Sequence, residues 1–137
     1  MHDMESHVEH SLVAPPKSSS YRDLAAWRKA MELVISVYAE TGKLSTDERF
    51  GLTQQMRRSA VSIPSNIAEG WSRGPTPDFT RFLRMARGSI FELSTQAEIC
   101  ASLKFPGDWP AILDQADEVR RILQGLIRSR QGMSNRL

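Results

Sequence analysis

The stretch "RRSAVSIPSNIAEGW", residues 57–71, concentrates polar side chains around Pro64: Arg57, Arg58, Ser62, Ser65, Asn66 and Glu69. Hydroxyls and a carboxylate so gathered suggest an active site, provided a base activates a nucleophile. The chain supplies no such base nearby. Its three histidines, His2, His7 and His10, all precede residue 20, so the rest has no imidazole to move a proton near neutral pH. The spacing of His7 and His10 suits a transition metal, but further ligands are missing and no metal site is expected. Cys100 is the single cysteine and, without a histidine partner, is read as a small core residue. "GWSRG" lacks the lysine and the preceding strand of a phosphate loop. Glu69 and Glu92 are conceivable paired carboxylates, but nothing in the sequence brings them together. No enzymatic activity and no cofactor are expected.

The arginines suggest different chemistry. Arg57, Arg73, Arg84, Arg87, Arg128 and Arg130 are candidate nucleic-acid contacts, because the planar guanidinium fork suits phosphate. From Arg120 to the C-terminus there are five arginines and no acid, whereas residues 1–20 hold three acids and one lysine. The net charge is only +2 and the pI is near 9.0, so the distribution of charge says more than its sum. Trp71 either stacks on a base or packs in an interface.

These side chains need a scaffold, and the scaffold reads as helical. The chain's 137 residues, 40% hydrophobic and 25% charged, suit one domain with a single core. One cysteine allows no intrachain disulfide, no apolar run approaches a membrane span of about 20 residues, and "MHDMESHVEH" is the opposite of a secretory signal. A cytoplasmic location is expected. Residues 1–19, ending in "APPKSSS", show no periodicity and are read as a disordered arm, with a bundle over 20–130 and a flexible basic tail over 131–137.

The first helix is expected from Tyr21 to Thr41, with Ser20 and Asp23 as capping box and Leu24, Trp27, Met31, Val34, Ile35 and Tyr38 facing the core. Ser45 and Glu48 are expected to cap a second helix with a core stripe of Leu52, Met56, Ser59, Ile63 and Ile67. Because that stripe stays in phase across Pro64, one long helix kinked at the proline is favoured over a break with Ser65 capping a new helix. Thr76, Pro77 and Asp78 start a third helix burying Phe79, Phe82, Leu83, Ala86, Ile90, Leu93 and Ala97. Asp108 caps a fourth, which buries Ile112, Leu113, Ala116, Val119, Ile122, Leu123, Leu126 and Ile127. The fold class is therefore all-α, an antiparallel up-down-up-down four-helix bundle.

Folding the third helix back through the turn near residue 75 sets Glu69 beside Arg81, Asn66 beside Arg84, Ser62 beside Gly88 and Arg58 beside Glu92. Val61 and Ala68 fall on the far side of the second helix. This second face is either an oligomer interface holding charge pairs or a solvated face with weak ones.

The segments "LTQQMRRSAVSIPSNIAEGWSRG" and "FTRFLRMARGSIFEL", with "YRDLAAWRKAMEL" and "QGLIRS", resemble the small four-helix-bundle proteins of bacterial 23S rRNA intervening sequences. The resemblance spans about residues 21–130. It implies a four-helix bundle assembled as a homopentameric ring. It also implies a relationship to the accessory variability protein of diversity-generating retroelements, which partners a reverse transcriptase and nucleic acid. The expected function is a non-enzymatic, self-assembling bundle with an arginine-rich surface for RNA, DNA or a nucleoprotein. The alternative is a structural or protein-binding adaptor with no nucleic-acid role.

Overall fold

The computed structural model describes residues 20–136, with side chains to Gly132. The arm over 1–19, with its three histidines, lies outside the described residues. Four helices make the fold: α1 (Ala25–Thr41), α2 (Gln54–Trp71), α3 (Pro77–Ser102) and α4 (Trp109–Arg136). α1 and α3 each pack on α2 and α4, giving an antiparallel up-down-up-down bundle around one apolar core. Among the described residues there is no strand, and no helix is long and apolar enough to cross a membrane.

The α3 stripe is buried as its periodicity predicts, with Gln96 and Cys100 added. On α4, Ile112, Ala116, Val119, Leu123 and Ile127 are buried, and Leu113, Ile122 and Leu126 pack against them. Thr76 is the N-cap of α3 by backbone conformation, with Pro77 in the first turn, but its side chain makes no cap bond. Asp108 does cap α4, its Oδ1 accepting from the Ala111 N–H at 3.1 Å. α4 continues as helix to Arg136, through the segment expected to be a flexible tail.

α1 departs most from its sequence reading. The Ser20–Asp23 capping box forms, but it caps a single 3₁₀ turn (Tyr21–Asp23), and extended Leu24 (φ −77, ψ 127) separates that turn from α1. The buried face is Ala26, Ala30, Leu33, Val37 and Thr41. Trp27 and Val34 pack at its edge, while Met31, Ile35 and Tyr38 are exposed, Ile35 by 67%. α1 carries two apolar faces, and the alanine-bearing one lets neighbouring backbones approach closely, so it takes the core.

α2 runs unbroken through Pro64, with Met56, Ser59, Ala60, Ile63, Pro64, Ile67 and Gly70 buried. Proline removes the hydrogen bond that the Ala60 carbonyl would accept. Serines serve the carbonyls on either side of it: Ser62 Oγ donates to Ser59 O at 2.9 Å and Ser65 Oγ to Val61 O at 2.8 Å. Ser45 makes no side-chain cap; Glu48 Oε1 instead accepts from the Leu52 N–H at 3.3 Å, across a π-type turn over Arg49–Thr53.

Candidate functional site

That turn and the end of α1 enclose an open cleft of about 440 Å³, lined by Tyr38, Arg49, Phe50, Thr53, Gln54, Arg57, Arg58 and Val61. Three arginines line it and no carboxylate does. Phe50 projects from the connector and is 80% exposed, with the Arg49 guanidinium 5.8 Å from its ring centre. Arg57 is fixed. Its Nε donates to Thr41 Oγ1 at 2.9 Å, its Nη2 to Tyr38 O at 3.3 Å, and its guanidinium lies 4.4 Å over the Tyr38 ring. A cation on the last carbonyls of α1 complements the negative end of the helix dipole. Arg57 therefore joins α1 to α2, in place of the free phosphate contact expected from the sequence.

The other arginines divide by partner. Arg73 pairs with Glu69 at 3.0 Å and Arg81 with Asp78 at 3.3 Å, and both guanidinium groups lie over the Phe82 ring. Arg120 and Arg121 share Asp117, whose carboxyl is held below its usual range chiefly by the Arg120 hydrogen bond. Arg130 sits 5.2 Å over the Phe79 ring. Among the described residues, Arg58, Arg84, Arg87 and Arg128 make no ion pair. The Arg130–Phe79 contact sets the register of α3 against α4, which brings Arg84 and Arg87 level with the Ile122–Gly125 stretch. With exposed Arg128 they form a basic band on α3 and α4, whereas the cleft is lined from α1, α2 and the connector between them.

The cross-helix charge pairs expected from the sequence do not form. Glu69 turns to Arg73 within its own chain segment, Arg81 turns to Asp78, and Arg58 and Glu92 make no ion pair. Local partners three or four residues apart need less chain ordering than partners on another helix. The α2–α3 register itself is close to the expected one, since Ser62 Oγ hydrogen-bonds Ser89 Oγ, one residue from Gly88. Asn66 Nδ2 donates to Ser62 O at 2.8 Å, within α2. Trp71 is half-buried, edge-on to Phe79 with ring centres 6.1 Å apart, and Val61 belongs to the cleft.

Cys100 is fully buried, its Sγ 3.6 Å from Met56 Sδ. Burial, reinforced by the charge of Glu48, pushes the thiol up to about 11, which leaves almost no thiolate at neutral pH. Among the described residues no group of three or more His, Cys, Asp or Glu side chains is placed to hold a metal ion. Sequence reasoning missed the cleft. Its signal was "ERFG", an aromatic between an arginine and a glycine in a connector, outside every helical stripe.

A family model described as 23S rRNA-intervening sequence protein matches residues 22–125. Among solved structures, the chain is similar to a protein of unknown function from the S23 ribosomal protein family of Bacteroides thetaiotaomicron. The TM-score is 0.69 at 21% identity, over 75% of this chain and 95% of that one. No curated protein matches.

Proposed function

The chain belongs to the 23S rRNA-intervening sequence protein family, and from that premise we propose a non-enzymatic bundle that self-associates and offers unpaired arginines to nucleic acid or a nucleoprotein. The observation that carries this reading is the band of Arg84, Arg87 and Arg128, left without carboxylate partners while neighbouring arginines are paired. Unpaired cations on adjacent helices match the spaced charges of a phosphate backbone. The inert Cys100 and the histidine-free bundle support a binding role over catalysis.

Self-association is supported by two separate exposed apolar strips, Phe91 and Ile99 on α3 with Leu103 at its C-cap, and Met31 and Ile35 on α1. Pairing one strip with the other is head-to-tail, the arrangement that closes into rings. This shifts the proposed interface from the paired charges of α2 and α3 to apolar side chains. Light scattering should give a multiple of 15.5 kDa, with five copies expected from the resemblance. A monomer at micromolar concentration would remove self-association from the proposal.

The nucleic-acid role is tested by titrating structured RNA and duplex DNA at several salt concentrations. Log affinity should fall linearly with log salt, by about 0.7–0.9 per phosphate neutralised. Replacing Arg84, Arg87 and Arg128 together by alanine should weaken binding and flatten that slope without changing the assembly. Absence of binding at low salt would favour the protein-adaptor reading.

A further inference from the structure

The cleft between the end of α1 and the start of α2 lies away from the arginine band and has a different composition. Phosphate contact alone requires no aromatic group, yet Phe50 is held 80% exposed beside three arginines. We propose that this cleft is a stacking site for one unpaired nucleotide of a single-stranded nucleic acid, with the base on the Phe50 ring and the phosphate on Arg58 and Arg49. The proposal rests on the reading that this chain binds nucleic acid.

Several observations converge on that ligand. The cleft volume of about 440 Å³ lies in the range of small-molecule sites and admits a nucleotide. Its lining carries three cations and no carboxylate, which excludes a cationic or purely apolar occupant and matches a phosphate. Arg58 is exposed and makes no ion pair, so its donors are available; Arg57 has its Nε and one terminal nitrogen on α1 and serves as the fixed wall. The Arg49 guanidinium lies over one face of the Phe50 ring, 5.8 Å from its centre, which leaves the other face for the base. Thr53 and Gln54 on the same lining supply hydrogen-bonding groups for a base edge. In a duplex the base faces are already stacked, so the geometry selects single strands.

The test uses the full chain and fluorescence anisotropy with labelled single-stranded oligo-uridine and oligo-thymidine, a duplex of mixed sequence, and heparin as a polyanion without bases. Phe50→Ala should weaken single-strand binding by about 5- to 100-fold, the usual effect of losing one base–aromatic stack, and leave heparin binding unchanged. Phe50→Trp should retain the affinity, whereas Phe50→Leu, which keeps the apolar bulk but not the π face, should lose it. Arg58→Ala should weaken both single-strand and heparin binding. Phe50 lies on the surface, so circular dichroism should show an unaltered helix content for all four variants.

Single-strand binding unaffected by Phe50→Ala would overturn the stacking site while leaving the arginine band intact. An equal loss on heparin would make Phe50 a support for the arginines and not a base platform, and would also overturn it. If Phe50→Ala changes the assembly mass in light scattering, a second copy of the chain occupies the cleft instead. Should the triple replacement of Arg84, Arg87 and Arg128 leave single-strand affinity unchanged while Phe50→Ala abolishes it, the band fails and the cleft stands.

Discussion

Arg57 shows how one side chain can look like a ligand contact and act as a brace. Its guanidinium holds the Thr41 hydroxyl and the Tyr38 carbonyl, and Thr41 Oγ1 in turn donates to Val37 O at 2.7 Å. Hydrogen bonds to a charged group contribute about 1.5–3 kcal/mol each, offset here by partial exposure. Arg57→Ala should therefore destabilise the fold by about 1–2 kcal/mol in urea denaturation, and Arg58→Ala, on the exposed face, by less than about 0.5 kcal/mol. Equal costs for the two would mean that the α1 anchor is energetically idle. The sequence placed both arginines side by side on one motif; only the end of α1 distinguishes them.

At the scale of elements, close approach and backbone hand decide what the helices tolerate. α2 and α3 meet at Gly70, where an added Cβ would lie 2.8 Å from Phe82 Cβ and 3.2 Å from Phe79 O. One of these contacts is backbone, so the helices would have to separate. Gly70→Ala should cost about 1–3 kcal/mol despite alanine's higher helix propensity, measured as a lower urea midpoint. A stabilised variant would show that the contact relaxes freely. The opposite sign is expected at Lys104, which holds φ +59 after α3. The Phe105 N–H bonds Cys100 O and the Lys104 N–H bonds Ala101 O, both at 3.0 Å, a Schellman arrangement with lysine where glycine is favoured. Lys104→Gly should stabilise by about 0.5–1 kcal/mol, read as a raised midpoint in the same assay. The sequence signalled these two sites unequally: the break at "FPGDWP" was legible, but the left-handed residue before it was not.

One end of the bundle is tied together by Glu40, which links segments 68 residues apart in sequence. Its Oε1 accepts from the Asp108 N–H at 2.6 Å and from Lys43 Nζ at 2.8 Å, joining the end of α1 to the turn between α3 and α4. The Lys43 hydrogen bond first, and the Asp108 N–H second, hold the Glu40 carboxyl below its ordinary range. A carboxyl whose pKa is lowered by folding stabilises the fold above its unfolded value, and that contribution disappears as pH falls through the folded one. Denaturation of wild type and Glu40→Gln across a pH series should show wild type more stable at neutral pH, with the difference shrinking below about pH 4.5. A difference independent of pH would mean that the carboxylate charge contributes nothing to the link.

The apolar stripes of α2, α3 and α4 lie in phase with a single helical period, so sequence by itself determined that those helices form, that Pro77 opens α3 and Asp108 caps α4, and the bundle they make; the Ser45 cap expected before α2 did not form. It also determined that Cys100 and the α3 stripe face inward, because each of those helices has one dominant apolar side. α1 has two, and the period cannot choose between Ala26–Leu33–Val37 and Met31–Ile35–Tyr38. Tertiary structure chose, since the smaller face lets α2 and α4 pack closer. The charge partners were likewise settled only by the fold: register made the expected cross-helix pairs nearly level, but Glu69 and Arg81 found nearer partners on their own segments, and Arg58 and Glu92 make no ion pair. The cleft needed both decisions at once. It exists because α1 turns Tyr38 outward, because Arg57 reaches back to the α1 terminus, and because the connector leaves Phe50 outside the core.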